Sequence, residues 1–249
     1  MIRGLAVVSA VLVLASCGVQ GGDTQAKGGV VTVFAAASLQ PAFDKIGARL
    51  KTTINITTSF NYAGTQTLTA QLQQGAQGEV FASADTAHMN TLQSAGLLSG
   101  PGRTFAHNKL QIAVAKGNPK GIKSLTDLAR PGLVVVLADP SVPAGKYAQQ
   151  ALSNAHVTVH PASLELQVTA VLTKVALGEA DAGIVYVSDV ATNGKVDGIS
   201  IPDEQNVIAD YPIAVLKSAT NAIGAQIFVD LVLSADGQGI LKAAGFQGA

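Results

Sequence analysis

Ser38, Thr65, Ala144 and Val168 are the positions at which this chain is best placed to do chemistry, and all four share one setting. Each stands where a strand-like run gives way to a helical period. In VTVFAAASL, Val31, Val33 and Phe34 suit a pleated, half-buried surface, and beyond them Leu39, Phe43, Ile46 and Leu50 recur at helical spacing. Serine is a favoured helix N-cap, so the pattern predicts a helix over 38–50 with Ser38 at its cap. The first amides of a helix have no internal partners and point outward with the positive end of the dipole. Hydroxyls and free amides at such a turn can hold an anion by donation alone. Thr65 follows Phe60-Asn61-Tyr62-Ala63-Gly64, Ala144 follows Pro143, and Val168 opens a helical stretch that ends at Ala176.

Other reactive residue types lead to no site. The chain contains no GxSxG, GxGxxG, HExxH or CxxC. Pro143-Ala144-Gly145-Lys146-Tyr147 carries the GK of a phosphate loop, but Pro140 occupies the earlier glycine position and Tyr147 stands where Ser or Thr would take magnesium. His156 and His160 are spaced to share a face, yet no third metal ligand accompanies them, and they are expected as partly exposed histidines on an edge strand. Asp85 and Asp139 each follow a strand-like stretch and are expected to hold turns or cap helices.

The balance of 16 basic against 16 acidic residues excludes an electrostatic footprint for nucleic acid or for an anionic membrane surface. An anion bound here must be held mostly by neutral donors. The N-terminus has Arg3, an apolar run from Leu5 to Leu14, and then Ala15-Ser16-Cys17, which reads as a secretory signal over 1–16, too short to span a membrane. Cys17 is the chain's one cysteine, so no disulfide forms within it. Residues 17–29, rich in Gly and polar side chains, read as a flexible tether. The small residues before Cys17 resemble the lipobox of bacterial lipoproteins, which implies a lipid on Cys17.

The elements that must position the four junctions alternate in type. Strand-like 30–34, 54–60 and 80–83 precede helix-like 38–50, 65–74 and 86–95, with Gly75 and Gly96 where C-terminal caps belong. A second run follows: strands at 110–115, 134–138 and 182–187, helices at 124–129, 144–152 and 168–176, then a strand at 211–216 and a helix at 221–234. Such alternation predicts an α/β fold with a parallel sheet and helices on both faces. The length suits two lobes of roughly a hundred residues each, with a ligand cleft where helix N-termini converge.

Four stretches carry a resemblance: VTVFAAASL, SFNYAGTQTLTAQLQQGAQGEVFASAD, LADPSVPAGKYAQQAL and GIVYVSD, in that order. Together they resemble the extracytoplasmic molybdate-binding proteins of bacterial ABC importers, from about Val30 to the C-terminus. The resemblance implies a two-lobed, type II periplasmic-binding-protein fold. Residues 30–110 and 213–249 would form one lobe and 111–212 the other, with 110–115 and 211–216 as crossover strands. In that family the oxyanion is held by serine hydroxyls, backbone amides and one tyrosine hydroxyl, without a salt bridge. The corresponding positions are Ser38, Thr65 in place of the usual serine, the amides of Ala144 and Val168, and Tyr186 within IVY. Gln66 is an alternative to Thr65 as donor. The resemblance further implies molybdate or tungstate as ligand, no cofactor, no resident metal cation, an ABC permease as partner, and a monomer held outside the membrane by its lipid. Two other readings stay open: a binding protein for sulfate or another tetrahedral oxyanion, and a secreted hydrolase with Ser38 as nucleophile. The hydrolase requires a base beside the serine, and no His lies in the surrounding motifs.

Overall fold

The computed structural model describes residues 29–249, so Cys17, the expected signal and the tether up to residue 28 lie outside the described residues. The strands are β1 (Val30–Ala36), β2 (Thr57–Ala63), β3 (Val80–Ala82), β4 (Arg103–Ala115), β5 (Val135–Ala138), β6 (Ser163–Glu165), β7 (Ala182–Tyr186), β8 (Val196–Ser200), β9 (Ile208–Val215) and β10 (Gln247–Gly248). The helices are α1 (Gln40–Ile54), α2 (Thr65–Gln73), α3 (Thr86–Ser94), α4 (Pro143–Asn154), α5 (Val168–Ala176), α6 (Val187–Asn193), α7 (Ala222–Leu233) and α8 (Ala235–Ala243). Short 3-10 turns occupy Ala37–Leu39 and Leu125–Ala129.

The sheet runs in the order β2-β1-β3-β9-β4-β7-β5-β6, with β8 and β10 paired to β4. Its outer parts are parallel, as helical crossovers require: β1 lies between β2 and β3, and β5 between β6 and β7. The middle is antiparallel, where β9 pairs with β3 and β4, and β4 pairs with β7. β4 changes partner along its length. Residues up to Lys109 lie against β9, and from Leu110 onward the partner is β7. One strand therefore ties the two parallel halves together.

Several boundaries differ from the sequence pattern for local reasons. The turn at Ser38 is 3-10, and α1 starts only at Gln40, with Pro41 fixing its first turn. Ser38 therefore lies inside the turn and does not cap the helix: Ala36 precedes the turn, Leu39 precedes α1, and neither start has a side-chain cap. Helix α1 runs on through Ile54 until Asn55 adopts a left-handed φ of 55°, which moves the following strand to Thr57. His156 also has a left-handed φ, of 56°, and ends α4; it and His160 are exposed on a loop and not on an edge strand. Gly75 and Gly96, with φ of 92° and 68°, follow α2 and α3 as expected.

The core is continuous across β4. Phe43 of α1, Phe105 of β4 and Phe228 of α7 are fully buried, with the Phe43 ring 5.4 Å from Phe228 and 5.8 Å from Phe105. Each such ring contributes about 1.5–3 kcal/mol by leaving water. The contacts fasten helix α7, near the C-terminal end, to the half of the sheet that holds Ser38.

Candidate functional site

All five positions expected to bind a ligand meet at one cavity. Ser38, Thr65, Ala144, Val168 and Tyr186 line it together, each at the end of a strand or the start of a helix. Ser38 follows β1 and Thr65 follows β2, while Ala144, Val168 and Tyr186 come from beyond the switch in β4. The cavity therefore lies between the two halves of the sheet, outside the carboxyl ends of their parallel strands. It is small, about 10 Å³.

The helix starts around it are open. The Ala37–Leu39 turn and helices α2, α4 and α5 begin without a side-chain cap, at Ala36, Gly64, Val142 and Gln167. Helices α3, α7 and α8 are capped by Asp85, Asn221 and Ser234, and none of these three residues lines the cavity. Uncapped first-turn amides are donors without an intrahelical partner. Their convergence gives the cavity a positive lining made of dipoles.

Local sequence explains how the turns approach so closely. A Cβ on Gly145 would collide with the carbonyls of Ala138 and Asp139, so glycine lets the first turn of α4 fold back onto the end of β5. A Cβ on Gly64 would collide with the carbonyl of Leu166, so that glycine lets the β2–α2 junction touch the segment leading into α5. Across the same gap Gln66 Nε2 donates to Leu166 O at 2.8 Å. Gln66 itself is not part of the cavity wall, whereas Thr65 is.

Two hydroxyls in the wall have defined partners and one has none. Thr65 Oγ1 accepts from the Ala84 amide at 3.2 Å, which leaves its hydrogen free to donate. Ser38 Oγ lies 3.0 Å from Tyr211 Oη. Tyr186 is 1% exposed and its Oη has no hydrogen-bond partner among the described residues, although its ring stands edge-on to Tyr211 at 5.8 Å. An unpaired buried hydroxyl costs about 1–3 kcal/mol, so it marks a place where a ligand atom belongs.

Among the described residues the wall carries no charged side chain. Lys146, the nearest basic residue in the α4 turn, is exposed and does not line it. The buried ionisable group behind the wall is acidic: Asp189 is 4% exposed and accepts from the Tyr186 amide at 2.9 Å. Burial pushes its carboxyl up to about 7, against the lowering effect of that amide bond. Asp85 caps α3 by accepting from the His88 amide at 2.9 Å, and Asp139 accepts from the Ser141 amide and hydroxyl; both are structural, as expected. Among the described residues no group of His, Cys, Asp and Glu is arranged to hold a metal cation.

Residues 31–247 match the family model of bacterial extracellular solute-binding proteins. The chain belongs to that family. It is 46% identical to the molybdate-binding protein ModA of Mycobacterium tuberculosis, over 96% of this chain and 95% of that one. It is 30% identical to ModA of Escherichia coli, over 90% and 91%. Among solved structures, the substrate-binding domain of a putative molybdenum ABC transporter from Clostridium difficile superposes with a TM-score of 0.68 at 28% identity, covering 88% of this chain and 99% of that one. The fold of this solute-binding protein is therefore the two-lobed type II class, a mixed α/β fold built around a curled sheet. The family binds solutes and is not a family of enzymes. No described helix is long and apolar enough to cross a membrane.

Tyr211 is the residue that the motif reading missed. It sits on β9, remote in sequence from every junction, and nothing about its neighbours marks it apart from other strand aromatics.

Proposed function

We propose that this protein binds molybdate, and tungstate with it, outside the cytoplasmic membrane and delivers the anion to the permease of an ABC importer. The observation that carries the reading is the buried, unpartnered Tyr186 hydroxyl at a cavity ringed by uncapped helix starts. The relatives named as molybdate-binding proteins support the choice of anion. Ser38, Thr65 and Tyr186 supply hydroxyl hydrogens, and Ala144 and Val168 supply amides. Hydrogen bonds to a charged group contribute about 1.5–3 kcal/mol each, so this many donors offset the desolvation of a dianion without a formal positive charge. A fully deprotonated oxyanion only accepts hydrogen bonds, and a donor-only wall penalises a ligand that carries a proton of its own. Hydrogen phosphate is the anion so penalised. The protein has no cofactor and performs no reaction: Ser38 has Tyr211 beside it in place of the base a nucleophile needs.

Residues 30–110 and 213–249 act as one lobe and 111–212 as the other. The walls of the cavity come from both, so an anion held by all five positions touches both lobes at once. Binding therefore couples to hinge motion of the lobes about β4 and β9. Cleavage of the signal before Cys17 leaves that residue as the lipid-bearing N-terminus, with residues up to 29 as a leash for a monomeric binding unit.

Sulfate is also fully deprotonated at neutral pH and suits the same donors, so size must discriminate between the two anions. Isothermal titration with molybdate, tungstate, sulfate and phosphate tests the assignment. Tight binding of the first two, weaker binding of sulfate and still weaker, measurable binding of phosphate is expected. Preference for sulfate, or phosphate bound as tightly as molybdate, would contradict it.

A further inference from the structure

Ser38 is 3% exposed, and among the described residues the side chain within hydrogen-bond reach of its Oγ is Tyr211, Oη to Oγ at 3.0 Å. Tyr211 is fully buried and does not line the cavity. Three rings meet it close to edge-on: Phe105 at 6.4 Å, Phe246 at 5.3 Å and Tyr186 at 5.8 Å. So enclosed, the ring cannot swing its hydroxyl away from Ser38.

Either oxygen could donate on distance alone, and chemistry decides the direction. A phenol is a stronger acid and a weaker acceptor than an aliphatic alcohol, so the favoured arrangement is Tyr211 O–H donating to Ser38 Oγ. Asn108, the other polar side chain beside Tyr211, accepts from the Lys109 amide at 3.0 Å through Oδ1. The Asn108 amide group donates to Ser188 Oγ at 2.8 Å. Burial, reinforced by the nearby Asp189 carboxyl, raises the Tyr211 pKa, so the phenol keeps its proton.

We propose that Tyr211 is a positioning residue that sets the Ser38 hydroxyl as a donor: Tyr211 Oη–H donates to one lone pair of Ser38 Oγ and so turns the serine hydrogen toward the bound oxyanion. Thr65 is set in the same way by a different donor, the Ala84 amide. Ser38 and Thr65 thus each accept from the protein and turn their hydrogens toward the cavity, and the chain Tyr211 to Ser38 to anion polarises along its length. The inference rests on the oxyanion reading of the cavity and adds to it the residue that enforces rejection of protonated anions. Without the phenol, the Ser38 hydroxyl is free to turn and present a lone pair to the proton of hydrogen phosphate.

The test is isothermal titration of molybdate and of phosphate, at neutral pH, into wild type, Tyr211→Phe, Ser38→Ala and the double variant, with thermal melts to establish folding. Tyr211→Phe is expected to weaken molybdate binding about tenfold, to change it less than twofold when Ser38 is already Ala, and to narrow the ratio of molybdate to phosphate affinity. Additive losses, or molybdate and phosphate weakened by the same factor, would overturn the inference while leaving the oxyanion site intact. A wild type that binds no oxyanion would overturn both readings together. If Tyr211→Phe does not fold, 3-fluorotyrosine at position 211 keeps the ring and strengthens the donor. Tighter molybdate binding then supports the relay, and unchanged binding overturns it.

Discussion

Gln66 Nε2 donates to the carbonyl of Leu166 at 2.8 Å, joining the first turn of α2 to the segment that leads into α5. The two residues belong to opposite halves of the sheet and sit beside the cavity without lining it. In the closure proposed above, their bond holds the two halves together and does not touch the anion. Gln66→Ala should therefore weaken molybdate binding by about three- to tenfold, the worth of one neutral hydrogen bond, with both anion preference and thermal stability nearly unchanged. Calorimetry measures the affinity. A loss as large as that of Ser38→Ala would mean that Gln66 donates to the ligand directly.

Gly64 makes that contact possible, because a Cβ there would meet the Leu166 carbonyl. Gly64→Ala should hold the halves apart. Solution scattering should show the wild type contracting on adding molybdate, whereas the variant keeps its larger radius; equal contraction of both would argue that the junction is not a closing surface.

Asp189 gives a pH signature. Its carboxyl is raised to about 7 in the folded protein by burial, from the ordinary 3.8 expected of an unfolded chain. The folded state then binds the proton more tightly, so this group's contribution to stability is complete below about pH 4 and is lost as pH rises through about 7. Asp189→Asn keeps an acceptor for the Tyr186 amide and removes the titration. Melting temperatures measured from pH 4 to 8 should fall less with rising pH in Asp189→Asn than in the wild type; parallel curves would place the ionisation elsewhere.

The turns around the anion were legible in sequence because they are local. Small residues and hydroxyls between a strand-type run and a helical period predict each junction, and Ser38, Thr65, Ala144 and Val168 meet at one cavity. The role given to Ser38 as a helix cap was not correct, since Pro41 delays α1 and a 3-10 turn intervenes. What sequence did not reveal is long-range pairing. Residues 103–109 of β4 carry the polar His107, Asn108 and Lys109, which hide a strand whose partner β9 is a hundred residues away. Tyr211 was invisible for the same reason: its meaning comes from Ser38, 173 positions earlier.

Cys17 lies outside the described residues, and its chemistry is tested in cells. Cys17→Ala should release the protein from membranes into the soluble extracytoplasmic fraction. Membrane retention of the variant after a wash that strips peripheral proteins would contradict lipid anchoring.

The central claim is that neutral donors, and no formal positive charge, hold the anion. Isothermal titration of molybdate into Ser38→Ala, Tyr186→Phe and Lys146→Ala tests it most directly. The first two remove one charge-assisted hydrogen bond each and should lose roughly ten- to a hundredfold in affinity, about 1.5–3 kcal/mol, without abolishing binding, because the amides of Ala144 and Val168 remain. Lys146 is exposed and off the wall, so its replacement should change affinity less than threefold. A Lys146→Ala loss larger than that of Ser38→Ala would contradict the account.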